Sequence, residues 1–145
     1  MTPMQQILLG VGVKKKTYMD DLFSTYLYIG TGSSNTTINT GINLSGEGGM
    51  VWTKERTNST YDEHALIDTV RGVNNEIQSD TNTAQTNAGE RLTNFNSNGH
   101  TIGQSQRYNL TNGKYASWTF RKAKGFFDIV TYTGNGTAGR TIAHS

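Results

Sequence analysis

Short runs of strand-forming residues, separated by turns rich in Gly and Asn, recur along almost the whole chain. Gly, Thr, Asn and Ser together supply 63 of the 145 residues, and only one Pro is present. Thr favours strands, whereas Gly and Asn favour tight turns. No long amphipathic helical run interrupts this pattern. We therefore expect an all-β fold, an antiparallel β-sandwich of jelly-roll type with a short N-terminal arm, although a barrel would show the same residue pattern.

Eight segments carry a strand pattern, and the hairpin signal Asn98-Gly99 joins two of them. The segments are residues 22–29, 36–42, 50–54, 65–70, 75–79, 92–95, 100–102 and 115–122. Residues 46–49 are predicted to form a turn, and residues 81–90 and 103–112 to form polar loops. Seven Tyr, five Phe and two Trp provide apolar surface for a core and argue against disorder.

Residues 115–122 show the clearest alternation in the chain. Their larger apolar members, Ala116, Trp118 and Phe120, are expected to point into the core. Trp52 and Phe23 lie in similar patterns and are expected to be buried with them.

Charge and composition exclude several classes of protein. The formal charge of +2 is too balanced for a typical nucleic-acid-binding protein. There is no Cys, and no apolar stretch approaches the roughly 20 residues of a membrane-spanning helix. Lys14–Lys16 follow the first apolar stretch instead of preceding it, which disfavours a secretory signal. We expect no nucleic acid and no membrane insertion.

Residues 1–16 form a candidate N-terminal arm with irregularly spaced apolar side chains. These are Met4, Ile7, Leu8, Val11 and Val13. The arm either packs on its own domain or docks on another chain, and the pattern favours neither alternative. If it docks, these five residues form the contact with a partner and anchor the chain.

A sequence similarity between two parts of the chain suggests where the sandwich domain ends. Six residues between Phe23 and Ile38 recur at an offset of 104 between Phe127 and Ile142: Phe, Tyr, two Gly, Thr and Ile. The predicted organisation is an arm at 1–16, a β-sandwich at 17–125, and the start of a second repeat or a C-terminal extension at 126–145. Two strands cannot close a sandwich, so we expect the native polypeptide to be longer.

No residue pattern indicates catalysis. His64, His100 and His144 are too dispersed for metal-ligand spacing, and the adjacent Asp20 and Asp21 do not form a glycosidase pair. Oxygen ligands from the loop at residues 62–64 could hold calcium, but a solvated loop is the simpler interpretation. We therefore expect no catalytic residues, no cofactor and no bound metal ion.

Several longer stretches carry a family resemblance. Residues 41–52 (GINLSGEGGMVW) are similar to a pattern found in structural proteins of phages of marine bacteria, including cyanophages. Residues 4–10, 23–27, 30–32, 68–72, 115–123 and 126–134 resemble further blocks of that family. The chain departs from the pattern at Lys124, where the family commonly has Pro, and it ends inside the second motif.

The resemblance implies a non-enzymatic virion protein with concanavalin- or laminin-G-like jelly-roll domains. It implies the N-terminal, virion-attaching part of a tail fibre or related appendage that is assembled in the host cytoplasm. The implied partners are other tail proteins and further copies of the chain, as a homotrimer. Two alternatives remain: a lectin-like module that binds host surface glycans, for which Trp52 and Trp118 could stack on sugars, and a capsid decoration protein.

Overall fold

The computed structural model describes residues 16–57, 60–61 and 63–144. Within them a 3-10 turn (Met19–Asp21) precedes nine strands and two short helices. The strands are β1 (Phe23–Ile29), β2 (Thr36–Asn39), β3 (Gly49–Glu55), β4 (Ala65–Asp68), β5 (Asn75–Gln78), β6 (Thr86–Asn87), β7 (Leu92–Asn96), β8 (Gly99–Ile102) and β9 (Lys114–Arg121). The helices are α1 (Leu44–Glu47) and α2 (Gln106–Asn109). The predicted all-β fold is confirmed.

The strands form two antiparallel sheets. The larger sheet has the order β1-β9-β3-β4-β5-β6, and the smaller has the order β2-β8-β7. The first and last strands are neighbours, with Phe23 opposite Phe120 and Ile29 opposite Lys114. The hairpin predicted at Asn98-Gly99 joins β7 to β8.

The hydrophobic core lies between the two sheets, which is the arrangement of a β-sandwich. Val51, Ala65 and Ile67 come from the larger sheet, and Ile38, Leu92 and Ile102 from the smaller one. Ile42, Leu44 and Tyr108 extend this cluster from the connecting segments. Each of these side chains is at most 4% exposed, so they form one continuous core.

Strand β9 presents the opposite face from the one predicted. Tyr115, Ser117 and Thr119 are fully buried on the core side, while Trp118 and Phe120 are only half-buried on the other side. The prediction that Trp118 and Phe120 point into the core is therefore wrong, whereas Ala116, which was predicted with them, is buried at 4% exposure. Since Thr119 lies opposite the core residue Val51 in the ladder, the register places the small hydroxyl residues inward.

Three connecting segments are more ordered than predicted. Residues 44–47 form α1 instead of part of a simple turn, because the Asn43 side chain accepts a hydrogen bond from the Gly46 amide at 3.0 Å and caps the helix. The polar loop expected at 103–112 contains α2, and the one expected at 81–90 contains β6. Gly49 follows α1, and a side chain at this position would collide with the carbonyl oxygen of Phe120.

Helix α2 is held against the sandwich by buried polar groups. The Tyr115 hydroxyl donates to the Gln106 carbonyl at 2.6 Å and accepts from the Leu110 amide at 2.8 Å. The Asn109 amide group donates to the carbonyl of Ser33 at 2.7 Å, and its oxygen accepts from the Thr31 amide at 2.7 Å. These contacts fix the connection between β1 and β2 to the loop that precedes β9.

Candidate functional site

The outward-facing side of the larger sheet carries an unusual number of apolar side chains. Directly paired residues of neighbouring strands share a face, so one row runs Thr25, Trp118, Trp52, Leu66 and Ile77 across five strands. A second row contains Phe23, Phe120 and Met50. We call this surface, together with Leu27 and Ile29 of β1, the outer aromatic face.

Contacts between its rings give the outer aromatic face a fixed shape. The ring centroids of Trp52 and Trp118 lie 5.6 Å apart with an interplanar angle of 56°. Phe120 contacts Phe23 at 4.9 Å and stacks on Phe127 at 5.2 Å. These separations are within the range of favourable aromatic pairs. The four residues predicted to be buried together, Phe23, Trp52, Trp118 and Phe120, do cluster, but they do so on the outside of the sandwich.

Strand β1 exposes the most apolar surface of this face. Leu27 is 59% exposed and Ile29 is 63% exposed, although both lie in a regular strand. β1 is also an edge strand, because it has β9 on one side and no described strand on the other. A large exposed apolar surface beside an open strand edge is typical of a site that binds protein.

The charged groups buried inside the sandwich, by contrast, serve the fold. Glu76 is 1% exposed and accepts a hydrogen bond from the Tyr108 hydroxyl at 2.8 Å. Arg91 and Arg107 approach the same carboxylate at 3.5 and 3.6 Å. Burial, followed by the charge of Glu76, raises the pKa of Tyr108 well above its usual value, so its hydroxyl remains a donor. This cluster ties β5 to α2 and offers no proton to a substrate.

The other buried acid near a loop has a similar structural role. Asp68 is 2% exposed and accepts hydrogen bonds from the backbone amides of Val70 and Arg71, at 3.0 and 2.9 Å. The Arg71 guanidinium also contacts this carboxylate. These bonds hold the tight connection between β4 and β5.

The described residues of the loop considered for calcium, Glu63 and His64, make contacts with other side chains of the protein. Asp62 lies outside the described residues. The carboxylate of Glu63 pairs with Arg107, and His64 accepts a hydrogen bond at Nδ1 from the Trp52 indole at 2.9 Å. Within the described parts of the chain, no group of three or more acidic or His side chains could hold a metal ion. His64 instead fixes the orientation of a ring on the outer aromatic face.

The C-terminal segment packs against the start of this face and then runs without strands. Lys122 and Asp128 form a salt bridge at 3.2 Å, next to a bridge between Ala123 and Phe127. A depression of about 560 Å³ lies between residues 125–130 and the side chains of Ile142 and His144. Its walls are mainly apolar, and Val130 is 42% exposed.

The predicted anchor residues belong to the part of the chain that the structure does not describe. Met4, Ile7, Leu8, Val11 and Val13 all lie outside the described residues, so their contacts stay a prediction. None of the helices in the described part of the chain has the length and apolar character needed to cross a membrane.

Comparison with known families identifies the domain. The model of a family described as a domain of unknown function, DUF7483, matches residues 19–145. The chain belongs to this family. The DUF7483 match begins at the 3-10 turn and includes both the sandwich and the segment after β9, while residues 1–18 lie outside it. No curated protein and no solved structure matches the chain.

Sequence reasoning identified the rings of the outer aromatic face but not its direction, and it did not select Leu27 and Ile29. The alternation in β1 placed Phe23, Thr25, Leu27 and Ile29 on one side of the strand. The signal that could have resolved the direction lies on the opposite side of β9 and β3, where Ser117 pairs with Thr53 and Thr119 with Val51. Small side chains such as these fit under a second sheet more easily than two indole rings do.

Proposed function

We propose that this DUF7483 chain is a non-enzymatic structural subunit of a phage particle, acting in a tail fibre or related tail appendage. The observation that carries the proposal is the outer aromatic face, which is broad, apolar and built on regular strands of a folded sandwich. Such a surface fits assembly with other proteins better than it fits chemistry on a small substrate. The assignment to a phage particle and to its tail appendage rests on the resemblance of residues 41–52 and the related blocks to phage structural proteins.

The distribution of polar groups supports a structural role. The carboxylates of Glu76 and Asp68 accept hydrogen bonds from groups within the fold. The raised pKa of Tyr108 keeps its hydroxyl protonated. A general acid or base would need a titratable group that reaches a substrate in a cleft. His64, which contacts the outer aromatic face, instead orients the Trp52 ring through a hydrogen bond.

Attachment to the particle is assigned to residues 1–16, which precede the family domain. Their apolar side chains, Ile7 and Leu8 among them, would each gain roughly 1.5–3 kcal/mol from full burial against a partner. The sandwich then projects from this anchor, and its outer aromatic face is available for contacts with neighbouring subunits.

The test is incorporation into particles by a chain in which Ile7→Asp and Leu8→Asp are combined. We expect the variant to unfold at nearly the same temperature as the parent chain but to be missing from purified particles. The matched control is Thr37→Asp with Asn39→Asp, two exposed positions on β2, which adds the same charge to the sandwich and should be incorporated normally. Incorporation of the arm variant at the parental level would contradict the anchoring role.

A second candidate function is binding of host surface glycans, and one observation favours it. Trp52 and Trp118 are half-buried neighbours on an outward-facing sheet, and the Trp52 ring is held in place by His64. Aromatic rings of this kind can stack on sugars. Their tilt of 56° provides no flat platform, which makes this the weaker candidate. Glycan-array binding that is lost in Trp52→Ala but kept in Tyr132→Ala would favour it.

A further inference from the structure

Among the described residues, strand β1 has an edge that no other strand covers. Its sequence, FSTYLYI, contains no charged residue and no Pro, and it pairs with β9 over all seven residues without a bulge. Native proteins usually protect an edge with charges, Pro, bulges or very short strands. The other described edges show such features: β6 has two residues, β2 has four, and β7 has a register shift between Leu92 and Asn94.

The backbone of β1 defines which groups this edge offers. The Arg121 amide donates to the Leu22 carbonyl, and the Gly30 amide donates to the Gly113 carbonyl, both at 2.8 Å. Bonding direction alternates along an antiparallel strand, so even-numbered residues of β1 bond to β9. The amide and carbonyl groups of Phe23, Thr25, Leu27 and Ile29 therefore point away from β9, toward the open edge.

We propose that β1 pairs with β1 of a second copy of this chain, antiparallel and about a two-fold axis at Tyr26, so that the two larger sheets become one. This contact goes beyond the proposed function and gives a dimer, in place of the homotrimer that the family resemblance implies. Pairing of β1 and attachment to a particle can be tested separately, because the proposed anchor lies in a different segment of the chain.

The strand is complementary to itself in this register. A two-fold axis at Tyr26 places Phe23 opposite Ile29 of the second copy and Thr25 opposite its Leu27. These are the residues whose amide and carbonyl groups point outward, so each pair can exchange two hydrogen bonds. Their side chains all lie on the outer aromatic face. The exposed apolar surface of Leu27 and Ile29 is then covered by Thr25 and Phe23 of the partner.

The charges near the ends of β1 are compatible with a second copy. Asp20 and Asp21 precede β1, with Lys16 and Arg121 near Asp21, while Lys114 lies beside Ile29 at the opposite end of the strand. A parallel arrangement would bring Asp20 and Asp21 of the two copies together, whereas antiparallel pairing separates them. The isologous contact forms a closed dimer and leaves no β1 edge exposed.

The register can be tested with a single cysteine because the chain contains none. In the proposed dimer Tyr26 meets its own copy in a non-hydrogen-bonded pair, where Cα atoms are about 4.5 Å apart. That separation lies within the roughly 4.4–6.8 Å that a disulfide spans. Tyr26→Cys should therefore form a covalent dimer on mild oxidation. Tyr132→Cys, on the exposed C-terminal segment, should do so at least tenfold more slowly.

Sedimentation equilibrium of the full chain provides the second test. We expect a dimer for the parent chain and a monomer for Leu27→Lys, which places a charge on the joint. Thr25→Pro should also be monomeric, because it removes an outward amide and leaves the bonds to β9 intact. Thr37→Lys, on the edge strand of the smaller sheet, is the matched control and should remain a dimer. Circular dichroism establishes that each variant is folded.

Four results would overturn the proposal. The first is a monomeric parent chain at high concentration, which would mean that residues 1–15 or a different protein covers this edge. The second is an exclusively trimeric mass, since an isolated trimer has no two-fold axis. The third is a folded Leu27→Lys variant that still dimerises. The fourth is a Tyr26→Cys chain that cross-links no faster than Tyr132→Cys.

Discussion

At the scale of single residues, the imidazole of His100 makes the folded state sensitive to acid. The residue is 0% exposed, lies between Ile38 and Phe95 in the smaller sheet, and has no hydrogen-bond partner for either ring nitrogen among the described residues. Burial lowers the pKa of His100 to about 4, so the folded protein holds it neutral. A neutral imidazole is tolerated in this position, whereas a charged one is not.

The pH dependence of stability follows from this pKa. An unfolded His has a pKa near 6.5, so above that pH neither state binds the proton and stability is full. Between pH 6.5 and 4 the unfolded chain gains a proton that the folded chain excludes, and about 3 kcal/mol of stability is lost. Urea unfolding at a series of pH values should show this loss in the parent chain. His100→Leu should remove the part of the loss that lies above pH 5. An unchanged pH profile would contradict the assignment.

At the scale of elements, the two faces of the larger sheet differ in what a substitution costs. Ile67 of β4 lies in the core between the sheets, and Ile67→Ala should destabilise the protein by about 2–5 kcal/mol because it leaves a cavity. Trp118→Ala removes a larger side chain from the half-buried outer face, where no closed cavity forms. The lost ring pairing with Trp52 accounts for roughly 0.5–1.5 kcal/mol of its cost, and the covered part of the ring adds to that. The total should stay below the about 3–5 kcal/mol expected for a fully buried Trp. Denaturant titration measures both losses, and a loss within or above that range for Trp118→Ala would place the ring in the core.

The same strands show how far the sequence predicts the fold. All eight segments with a strand pattern form strands, because alternation and the Gly and Asn turns are local signals. The direction of each face is not local. In β9, Ser117 and Thr119 are buried because a second sheet lies over them, and Trp118 points outward although it is larger and more apolar. A rule that places apolar residues inside fails where the outer face is itself rich in apolar side chains.

Helix α2 and the buried charge cluster were not predictable for a related reason. Glu76, Arg91 and Arg107 are separated by 15 and 16 positions along the chain, and they meet only after β5 and α2 have packed together. Asn109 looks like a loop residue in the sequence, yet it is fully buried and bonds two connections at once. Single-sequence patterns contain periodicity and turn chemistry, but they do not contain these long-range partners.

At the scale of the whole molecule, the described sandwich combines an apolar outer face with a strand edge that no described strand covers. The family match at residues 19–145 covers both of these features but not the arm, so the anchor and the sandwich are separate parts of the proposal. A self-paired β1 and an attached arm would give the chain two distinct contacts. Each can be removed by a substitution that leaves the other in place.

Cryo-electron microscopy of the intact particle to which we propose this chain belongs, with every chain assigned, is the most direct test of the proposed function. We expect this chain to occupy defined, symmetry-related positions in the tail appendage, with residues 1–16 buried against another virion protein. We also expect the outer aromatic face to be in contact with protein. A complete reconstruction in which every appendage density belongs to other chains, while this chain stays in the soluble fraction of the lysate, would contradict the proposed function.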